Sequence, residues 1–512
     1  MKAKRRSGSV LTCLTLALAA TMIAPAASAS TKPNVLFIAV DDLRTSLGAY
    51  GDPLALTPNL DRLARESRLF ERAYTMQAVC GPARTAILTG RLPDHNRTWH
   101  NRNLFRATNP DTVTLPQLFK QHGYHTQAMG KIFSGDEREI DPASWSVPEI
   151  LKQAGWTNYA LPRSDAPGKQ APYEAADVPD DGYTDGKLAN LAVETLGKLK
   201  TQAEPFFLAV GFFKPHLPFN APKKYWDLHD PKKFDLPGEP EGVREAPAAA
   251  YHTHRELGGY AGVAKDERLD AEQTRILRHG YYACVSYVDA QIGRVLDALR
   301  RLELERNTIV VLWGDHGFAL GDAGRWCKGT NWDLDTRVPL MIRTPGLAQP
   351  GRAASGIVEY VDVYPTLADL AGLPAPAYLS GRSLVPLLQD AAGPGRDFAL
   401  SQFSRPFSAG PPETMGYSIR TETQRYTRWV KWPSRETFAE ELYDYTQPAS
   451  AEPRWTTFVE RRNLIDDPAT AGARDRLRGM MDQVLRDRSI VTPERPASGD
   501  DAAKTKRKKK RE

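Results

Sequence analysis

Three apolar, β-rich runs constrain the fold of this chain more than any other feature. They occupy residues 33–40, 206–211 and 308–313. The charged residues that follow them are Asp41 and Asp42, Lys214 and His216, and Asp315 and His316. Continuous apolar strands are typical of a sheet that is buried on both faces. We therefore expect these polar residues at the carboxyl ends of parallel strands, where open α/β sheets build their sites.

Helical periodicity separates the three runs. The predicted helices span 59–67, 115–121, 186–198 and 274–301. Alternating strands and helices predict an α/β domain, with a large, mostly parallel sheet covered by helices on both faces. Two further segments, 135–185 and 227–270, are rich in Pro, Gly and acidic residues, and we interpret them as long surface loops.

The pattern changes near residue 395. Short strand-like pieces follow at 417–420 and 426–430, and a final helix is predicted at about 471–486. This change predicts a smaller α+β domain after the first one, which a chain of 512 residues can accommodate. The predicted segments are a signal peptide at 1–29, an α/β domain at 30–395, an α+β domain at 396–490 and a disordered basic tail at 491–512.

The two ends of the chain differ in character from its body. Residues 1–29 combine four positive charges, an apolar run too short to cross a bilayer and a small-residue cleavage site, which is typical of a secretory signal peptide. Residues 500–512 carry a net charge of +4, so the body contributes −2 to the formal total of +6. We expect a secreted or periplasmic protein with no membrane span and no nucleic-acid partner, and with a solvated tail.

Four cysteines are too few for a disulfide-dense scaffold. Cys13 belongs to the predicted signal peptide. Cys284 and Cys327 are expected to be free thiols, although an exported protein could pair them. Cys80 differs because Pro82 and Arg84 follow it at fixed spacing.

The segment around Cys80 resembles the Cys-x-Pro-x-Arg signature of the type I sulfatases. A lone cysteine would be more typical of a buried structural thiol, but residues 88–91, Leu-Thr-Gly-Arg, also match that family. The family more often has Ser where this chain has Ala83. The resemblance implies an alkaline phosphatase-like fold, with catalysis in residues 30–395. It also implies that a maturation enzyme oxidises Cys80 to formylglycine.

Formylglycine would give this chain an unusual nucleophile. Its hydrated aldehyde carries two hydroxyls on one carbon, and one of them can attack the sulfur of a sulfate ester and expel the alcohol. The second can then lose its proton, so that the carbon returns to the aldehyde and expels sulfate. Serine lacks this second step, which makes the reaction covalent catalysis with a built-in release route.

Two acidic motifs, Asp41-Asp42 and Asp315-His316, are candidates for a metal site. Aspartates that converge at one edge of a sheet form a hard oxygen site suited to Ca²⁺ or Mg²⁺. Either motif alone is equally typical of a helix cap or a loop carboxylate. The sulfatase resemblance implies one divalent ion, usually Ca²⁺. It assigns as ligands Asp41, Asp42, the modified Cys80, Asp315 and His316.

Cationic side chains are expected around the sulfate. Arg84 lies about one helical turn after Cys80, and the amino end of that predicted helix would favour an anion. The resemblance adds Lys131, His216 and Lys328, each of which would be an ordinary solvated residue in isolation. It implies that they stabilise the negative charge of the transition state, and that one of them protonates the leaving alcohol.

Further motifs resemble the iduronate-2-sulfatase branch of the family and its bacterial relatives, over roughly residues 33–485. They include the motifs at 41–44, 214–219 and 415–421. The branch has a histidine where this chain has Ser134, which affects the expected uronate specificity. Ser134, Arg325 and Trp326 are the predicted substrate-binding residues.

Three functions therefore compete. The first is a sulfatase that acts on a sulfate monoester, such as that of a sulfated sugar or glycan. The second is a phosphate or phosphonate monoester hydrolase on the same scaffold. The third is a protein with unmodified Cys80 that only binds sulfated glycans. The oligomeric state is left open by the sequence.

Overall fold

A seven-stranded sheet lies at the centre of this computed structural model. The structure describes residues 32–134, 141–150, 159–162, 170–237, 241–252, 256–407, 410–446 and 459–488. The predicted signal peptide at 1–29 and the basic tail at 491–512 lie outside the described residues. The two main sheets belong to one compact unit that begins at Pro33, and the division of the chain at residue 395 remains a prediction.

The strands are numbered in chain order. They are β1 (Asn34–Val40), β2 (Arg68–Tyr74), β3 (His125–Gly130), β4 (Tyr173–Glu174), β5 (Phe206–Phe212), β6 (Phe219–Asn220), β7 (Thr308–Gly314), β8 (Ala319–Leu320), β9 (Trp326–Cys327), β10 (Arg337–Arg343), β11 (Ala354–Glu359), β12 (Phe398–Arg405), β13 (Thr414–Thr421), β14 (Gln424–Lys431) and β15 (Thr437–Asp444). The central sheet has the order β11-β2-β10-β7-β1-β5-β3. Strands β7, β1, β5 and β3 are parallel, whereas β10 runs antiparallel to both of its neighbours. The prediction of a mostly parallel sheet is confirmed.

The α-helices are also numbered in chain order. They are α1 (Pro58–Glu66), α2 (Cys80–Thr89), α3 (Pro93–Asn96), α4 (Phe105–Thr108), α5 (Leu115–Gln121), α6 (Thr184–Leu199), α7 (Lys223–Trp226), α8 (Ala271–Arg301), α9 (Asp333–Thr336), α10 (Val363–Leu370), α11 (Val385–Gln389) and α12 (Ala471–Asp487). Capping boxes at Thr114 and Asp270 define the starts of α5 and α8. Among the described residues, no helix is both long enough and apolar enough to cross a membrane.

The central sheet is covered on both faces. Alternate residues of β1 contribute to two separate hydrophobic cores, because successive side chains of a strand point to opposite sides. One core includes side chains of α1, α6 and α8, and the other includes side chains of α2, α5 and α10. Strand β1 is apolar and buried from Val35 to Val40, so both of its faces are covered, and this confirms the predicted layering.

A second, four-stranded antiparallel sheet follows in the order β12-β13-β14-β15. Leu477, Met481 and Val484 of α12 join its core. The same core includes Ala86 of α2 and Met76, so this sheet packs against the segment that contains Cys80. Strand β12 is held there by a main-chain hydrogen bond, because the Gln402 N–H donates to the Met76 carbonyl at 2.8 Å. The predicted smaller α+β region is confirmed.

Candidate active site

The two acidic motifs meet at the carboxyl edge of the central sheet. Strands β1 and β7 are parallel neighbours in which Val40 pairs with Gly314, so the residues that follow each strand lie side by side. The Asp42 N–H donates to Asp315 Oδ1 at 3.0 Å. Asp42 has a φ of 57°, in the left-handed region, which an aspartate tolerates better than most residues. The chain turns sharply here and keeps both carboxylates at the strand end.

Cys80 is the first residue of α2 and faces this edge. Its Sγ lies 3.3 Å from His316 Nε2 and 3.7 Å from Asp41 Oδ1. Gly81 is required by a close approach, because a Cβ there would lie 2.9 Å from the Asn101 Cα. Burial raises the pKa of the Cys80 thiol well above its usual value, so an unmodified Cys80 is a neutral thiol at this site.

Arg84 lies one turn further along α2 and is completely buried. Its Nε donates to Asp315 Oδ2 at 2.8 Å, and its Nη2 donates to Asp41 Oδ1 at 3.1 Å. It also donates to the main-chain carbonyls of Lys131 and Ile132. The guanidinium therefore joins the ends of three strands, β1, β7 and β3, and holds the two aspartates at a fixed separation.

Three further predicted cations converge on the same carboxylates. Lys131 follows β3, and its Nζ donates to Asp41 Oδ2 at 2.6 Å. Lys328 follows β9, and its Nζ donates to Asp42 Oδ2 at 3.0 Å. His216 follows β5 and places its Nε2 3.8 Å from Asp42 Oδ2. Residues that are distant in sequence are thus brought together around one group of aspartates.

Sequence reasoning missed Glu256. Its Oε1 lies 3.1 Å from His216 Nε2, and its Oε2 accepts a hydrogen bond from Lys328 Nζ at 2.9 Å. Burial raises the pKa of Glu256, but the charges of Lys328 and His216 outweigh this effect and hold it well below its usual value. Glu256 lies within 227–270, a segment whose sequence indicates only a surface loop, and no motif or periodicity marks this residue.

The charges of the site control one another's pKa values. Burial alone would raise the pKa of Asp315, but His316 and Arg84 hold it well below its usual value. Burial alone would lower the pKa of Lys328, but Asp42 and Glu256 raise it well above its usual value. These groups are therefore ionised despite being buried, as expected for charges that are paired.

The carboxylates also have the composition of a metal site. Asp41, Cys80 and Asp315 place one ligand atom each within 4.8 Å of one another, and Asp42, Cys80 and His316 do the same. Three aspartates supply the oxygen ligands that Ca²⁺ and Mg²⁺ prefer. A hard divalent cation therefore fits the three aspartates, whereas the Cys80 sulfur and the His316 nitrogen are softer donors.

A cavity of about 550 Å³ opens over Cys80. The described residues that line it are Val79, Cys80, Asn101, Arg102, Lys131, Ser134, His216, His252, Glu256, Tyr260, Cys327, Lys328 and Phe407. Phe407 comes from the segment after β12, and its ring centroid lies 4.4 Å from that of His100 and 5.4 Å from that of His252. The predicted nucleophile and three of the predicted cations thus share one chamber with aromatic rings.

The three predicted substrate-binding residues are placed differently. Ser134 lines the cavity, whereas Arg325 and Trp326 are not among its described lining residues. The Arg325 guanidinium donates to both carboxylate oxygens of Asp335 at 2.9 Å. Trp326 is buried and pairs with Leu320 in the two-stranded β8–β9 sheet. Both residues directly precede Cys327 and Lys328, which do line the cavity.

Comparison with known proteins agrees with this geometry. Residues 33–373 match the family model described as Sulfatase. The chain belongs to the sulfatase family. Residues 321–486 of this sulfatase also match a second model, described as the C-terminal region of N-sulphoglucosamine sulphohydrolase. The predicted family and its enzymatic class, sulfuric ester hydrolase, are confirmed.

Two curated sulfatases and one solved structure are especially similar. Iduronate 2-sulfatase from Homo sapiens is 36% identical over 83% of this chain and 91% of its own length. The enzyme of the same name from Mus musculus is 36% identical over 80% of this chain and 87% of its own. The phosphonate monoester hydrolase SpPMH from Silicibacter pomeroyi has a TM-score of 0.71 and 25% identity, over 89% of this chain and 96% of its own.

The three cysteines of the described residues form no disulfide bond with one another. Cys80, Cys284 and Cys327 are buried free thiols in the part of the chain that the structure describes. Burial raises the pKa of Cys284 to about 12, so this thiol behaves as an apolar core side chain. Among these cysteines, Cys80 and Cys327 line the cavity, and Cys80 alone is the first residue of a helix directed at it.

Proposed function

We propose that this sulfatase hydrolyses a sulfate monoester carried by a sugar, with Cys80 converted to formylglycine as its nucleophile. The observation that carries the proposal is the position of Cys80. It starts a helix, lies within 4 Å of Asp41 and His316, and shares its cavity with Lys131, His216 and Lys328. A helix start directed at a cationic chamber is suited to an anionic ester.

The chemistry explains why modification of Cys80 is part of the proposal. Because burial raises the pKa of the Cys80 thiol, the unmodified side chain would be a protonated and weak nucleophile. The hydrated formylglycine instead offers one hydroxyl to attack sulfur and a second whose deprotonation releases sulfate. Since Cys80 is 2% exposed, we propose that the maturation enzyme acts before this segment is folded.

Asp41, Asp42, Asp315, His316 and the oxygen of the modified residue 80 would hold one divalent ion, for which we propose Ca²⁺. Such an ion, when bound, supplies positive charge that lowers the pKa of an adjacent hydroxyl and polarises the ester. Arg84 then has a positioning role, because it contacts Asp41 and Asp315 rather than the cavity. The arrangement keeps the carboxylates together even though their charges repel one another.

Lys131, His216 and Lys328 are proposed to act on the sulfate group itself. All three line the cavity beside Cys80, so their N–H groups can donate to sulfate oxygens as negative charge develops. The acid that protonates the leaving alcohol comes from this set of three. The His216 Nδ1 lies 2.6 Å from its neighbouring Leu217 carbonyl, which directs the Nε2 atom towards the chamber.

A sugar is the proposed carrier of the sulfate. The cavity volume is in the range of small-ligand sites, and its wall includes the rings of His252, Tyr260 and Phe407, which can pack on the apolar face of a sugar. Arg102 is an exposed cation on the same wall, and it would meet a second anionic group of the substrate. The two curated relatives named above are both called iduronate 2-sulfatase, which supports an anionic sulfated sugar.

Ser134 is proposed to contact this sugar directly, because it lines the cavity. Arg325 and Trp326 are proposed to act indirectly, without lining the cavity. The Thr330 N–H also donates to Asp335 Oδ2, at 2.9 Å. Asp335 therefore binds Arg325, which precedes Lys328, and Thr330, which follows it, and so holds the chain on both sides of Lys328. Arg325 and Trp326 would therefore affect substrate binding through the position of Lys328.

One second function has specific support. The similar solved structure is a phosphonate monoester hydrolase, and its fold matches that of this chain closely. Hydrolysis of aryl sulfate, aryl phosphate and aryl phosphonate monoesters that share one leaving group would separate the two. We expect kcat/KM to be highest for the sulfate ester, and a higher value for the phosphonate would favour the second function.

The decisive experiment combines mass spectrometry with kinetics. Protein produced together with a formylglycine-generating enzyme should yield a peptide in which residue 80 carries an aldehyde in place of the thiol. Its activity on aryl sulfate should rise with the modified fraction, disappear after treatment with a chelator and return with Ca²⁺. Full activity of a preparation in which residue 80 is entirely unmodified would refute the proposal.

A further inference from the structure

Glu256 is an unexpected charge in a chamber that must receive an anion. It lines the cavity with Cys80, and its side chain is 15% exposed. A carboxylate at this place repels a sulfate ester that approaches Lys328 and His216. Its presence therefore requires a reason other than attraction of the substrate.

Each oxygen of Glu256 holds one of the two cations. Oε1 lies 3.1 Å from His216 Nε2, and Oε2 lies 2.9 Å from Lys328 Nζ. Lys328 is also bound by Asp42 at 3.0 Å, so it meets carboxylates on two sides. Two of the cations that face the ester are thus oriented by Glu256 and partly neutralised by it.

The charge of the ester decides how strongly this carboxylate opposes binding. A sulfate monoester carries one negative charge, and so does a phosphonate monoester. A phosphate monoester carries close to two above its second pKa of about 6. Because Coulomb energy is proportional to charge, a fixed carboxylate opposes the dianion about twice as strongly as either monoanion.

We propose that Glu256 is a specificity-determining residue that selects singly charged esters and rejects the phosphate monoester dianion. The inference rests on the proposed function, because it assumes that Lys328 and His216 bind the group being cleaved. Selection arises from repulsion of the wrong substrate, while the same carboxylate positions the two cations for the correct one.

The test compares three substrates in three proteins. Aryl sulfate, aryl phosphonate monoester and aryl phosphate with the same leaving group are assayed at about pH 8, where the phosphate is a dianion. The proteins are the wild type, Glu256→Gln, which removes the charge at nearly constant shape, and Glu256→Asp, which keeps it. Each carries formylglycine to the same measured fraction, and kcat and KM are determined separately.

In Glu256→Gln, we expect the phosphate-to-sulfate ratio of kcat/KM to rise by about tenfold. The phosphonate-to-sulfate ratio should stay within about twofold of the wild type, since both esters are monoanions. Glu256→Asp should keep the wild-type ratios even if its overall rate falls. A general loss of orientation would instead lower kcat/KM for all three esters in proportion, and that result overturns the inference.

Two outcomes separate this inference from the proposed function. If the wild type fails to hydrolyse aryl sulfate, the proposed function fails, but the phosphate-to-phosphonate ratio still reports on Glu256. If the wild type hydrolyses aryl sulfate and the ratios do not change in Glu256→Gln, only the role of Glu256 fails. Glu256→Ser provides a second neutral variant, and failure of both neutral variants to fold would show that the charge is structural and overturn the selection.

Discussion

Two regions of the molecule bury several charges, and only one of them faces open space. The first is the active-site cluster, defined by Asp41, Asp42, Asp315 and their cations at the edge of the central sheet. The second is the sealed cluster beneath the four-stranded sheet. It consists of Asp333, Glu441, Glu460, Arg420 and Arg425, together with the aromatic side chains that donate hydrogen bonds to the carboxylates.

In the sealed cluster, neighbouring side chains bond most of the carboxylate oxygens, although the buried Glu460 Oε2 has no hydrogen-bond partner among the described residues. Glu441 accepts hydrogen bonds from the indole N–H groups of Trp332 and Trp429 and from the hydroxyl of Tyr443. Arg425 bonds Asp333 at 3.0 Å and lies 3.3 Å from Glu460. None of these residues is among the described residues that line the cavity.

In the active-site cluster, the carboxylates are also paired with cations, but some of these cations face the cavity. Lys131 and Lys328 line it, whereas Arg84 lies behind them. Burial and perturbed pKa values occur in both clusters, so neither property distinguishes a functional site from a structural one. The distinguishing property is an adjoining space that a ligand can enter. The following predictions test that difference, from the largest expected effect to the smallest.

Substitution of Cys80, the proposed nucleophile, should give the largest loss of activity with little change in stability. Cys80→Ala is expected to reduce aryl sulfate turnover by roughly four to six orders of magnitude, because no side chain remains to attack sulfur. Its Tm should stay close to that of the wild type, since one sulfur atom is lost from a site that adjoins a cavity. Steady-state kinetics and thermal unfolding are the measurements.

Cys80→Ser is the matched control for this substitution. Serine can attack sulfur but has no second hydroxyl to expel sulfate, so intact-protein mass spectrometry should show a sulfated enzyme that persists. Turnover near the wild-type value in either variant would remove Cys80 from the reaction.

Removing a cation from the sealed cluster should have the opposite effect. Arg425→Met is expected to lower the free energy of unfolding by about 3–5 kcal/mol, because Asp333 and Glu460 lose a buried partner. The activity per folded molecule should remain within about twofold of the wild type. Denaturant unfolding and kinetics on the folded fraction check both parts.

Arg478→Ala is the control, since its ion pair with Glu440 is at the surface, where the arginine side chain is 40% exposed. It should change the free energy of unfolding by less than about 1 kcal/mol. A large, specific loss of activity in Arg425→Met would contradict the contrast between the two clusters.

Removing a cation that faces the cavity should reduce activity more than stability. Lys328→Ala is expected to lower kcat by roughly two to three orders of magnitude, as for the loss of one donor to a developing charge. Lys198→Ala, at an exposed pair with Glu194, should leave kcat unchanged. A change of less than about threefold in Lys328→Ala would show that this lysine does not contact the sulfate.

The smallest effect is expected at the cavity wall. Arg102→Ala should lower kcat/KM for a sulfated sugar with a carboxylate by about two- to fivefold, because an exposed ion pair is weak. Activity on a small neutral aryl sulfate should not change, and Arg268→Ala, at a side chain 91% exposed, should affect neither substrate. Equal losses on both substrates would place Arg102 outside the proposed sugar contact.

The sequence indicates that the residues of the active-site cluster lie together, because its members follow apolar strands or lie in a spaced motif. Asp41, Asp315 and Cys80 are examples, and the observed helices begin and end within a few residues of the predicted ones. Apolar runs predict strands, and parallel strands bring their carboxyl ends to one edge. That geometry alone brings together residues that are far apart in the chain.

The residues that the sequence did not predict lie where no local pattern exists. Glu256 and Phe407 reach the cavity from irregular segments, and their positions depend on tertiary packing. Arg325 is predicted in the pocket, but its planar guanidinium binds Asp335, ten residues further along the chain in the short helix α9, and no sequence pattern indicates this pairing. Strand β10 runs antiparallel to its neighbours, and side-chain periodicity carries no information about strand direction.

The contribution of Phe407 to the cavity wall has one further consequence. The proposed catalytic groups follow strands of the central sheet, follow β9 or lie in α2, whereas this ring belongs to the segment after β12. Mutations in that segment can therefore alter which substrates bind and leave the proposed catalytic residues in place. Related enzymes can in this way differ in their substrates while they share one reaction.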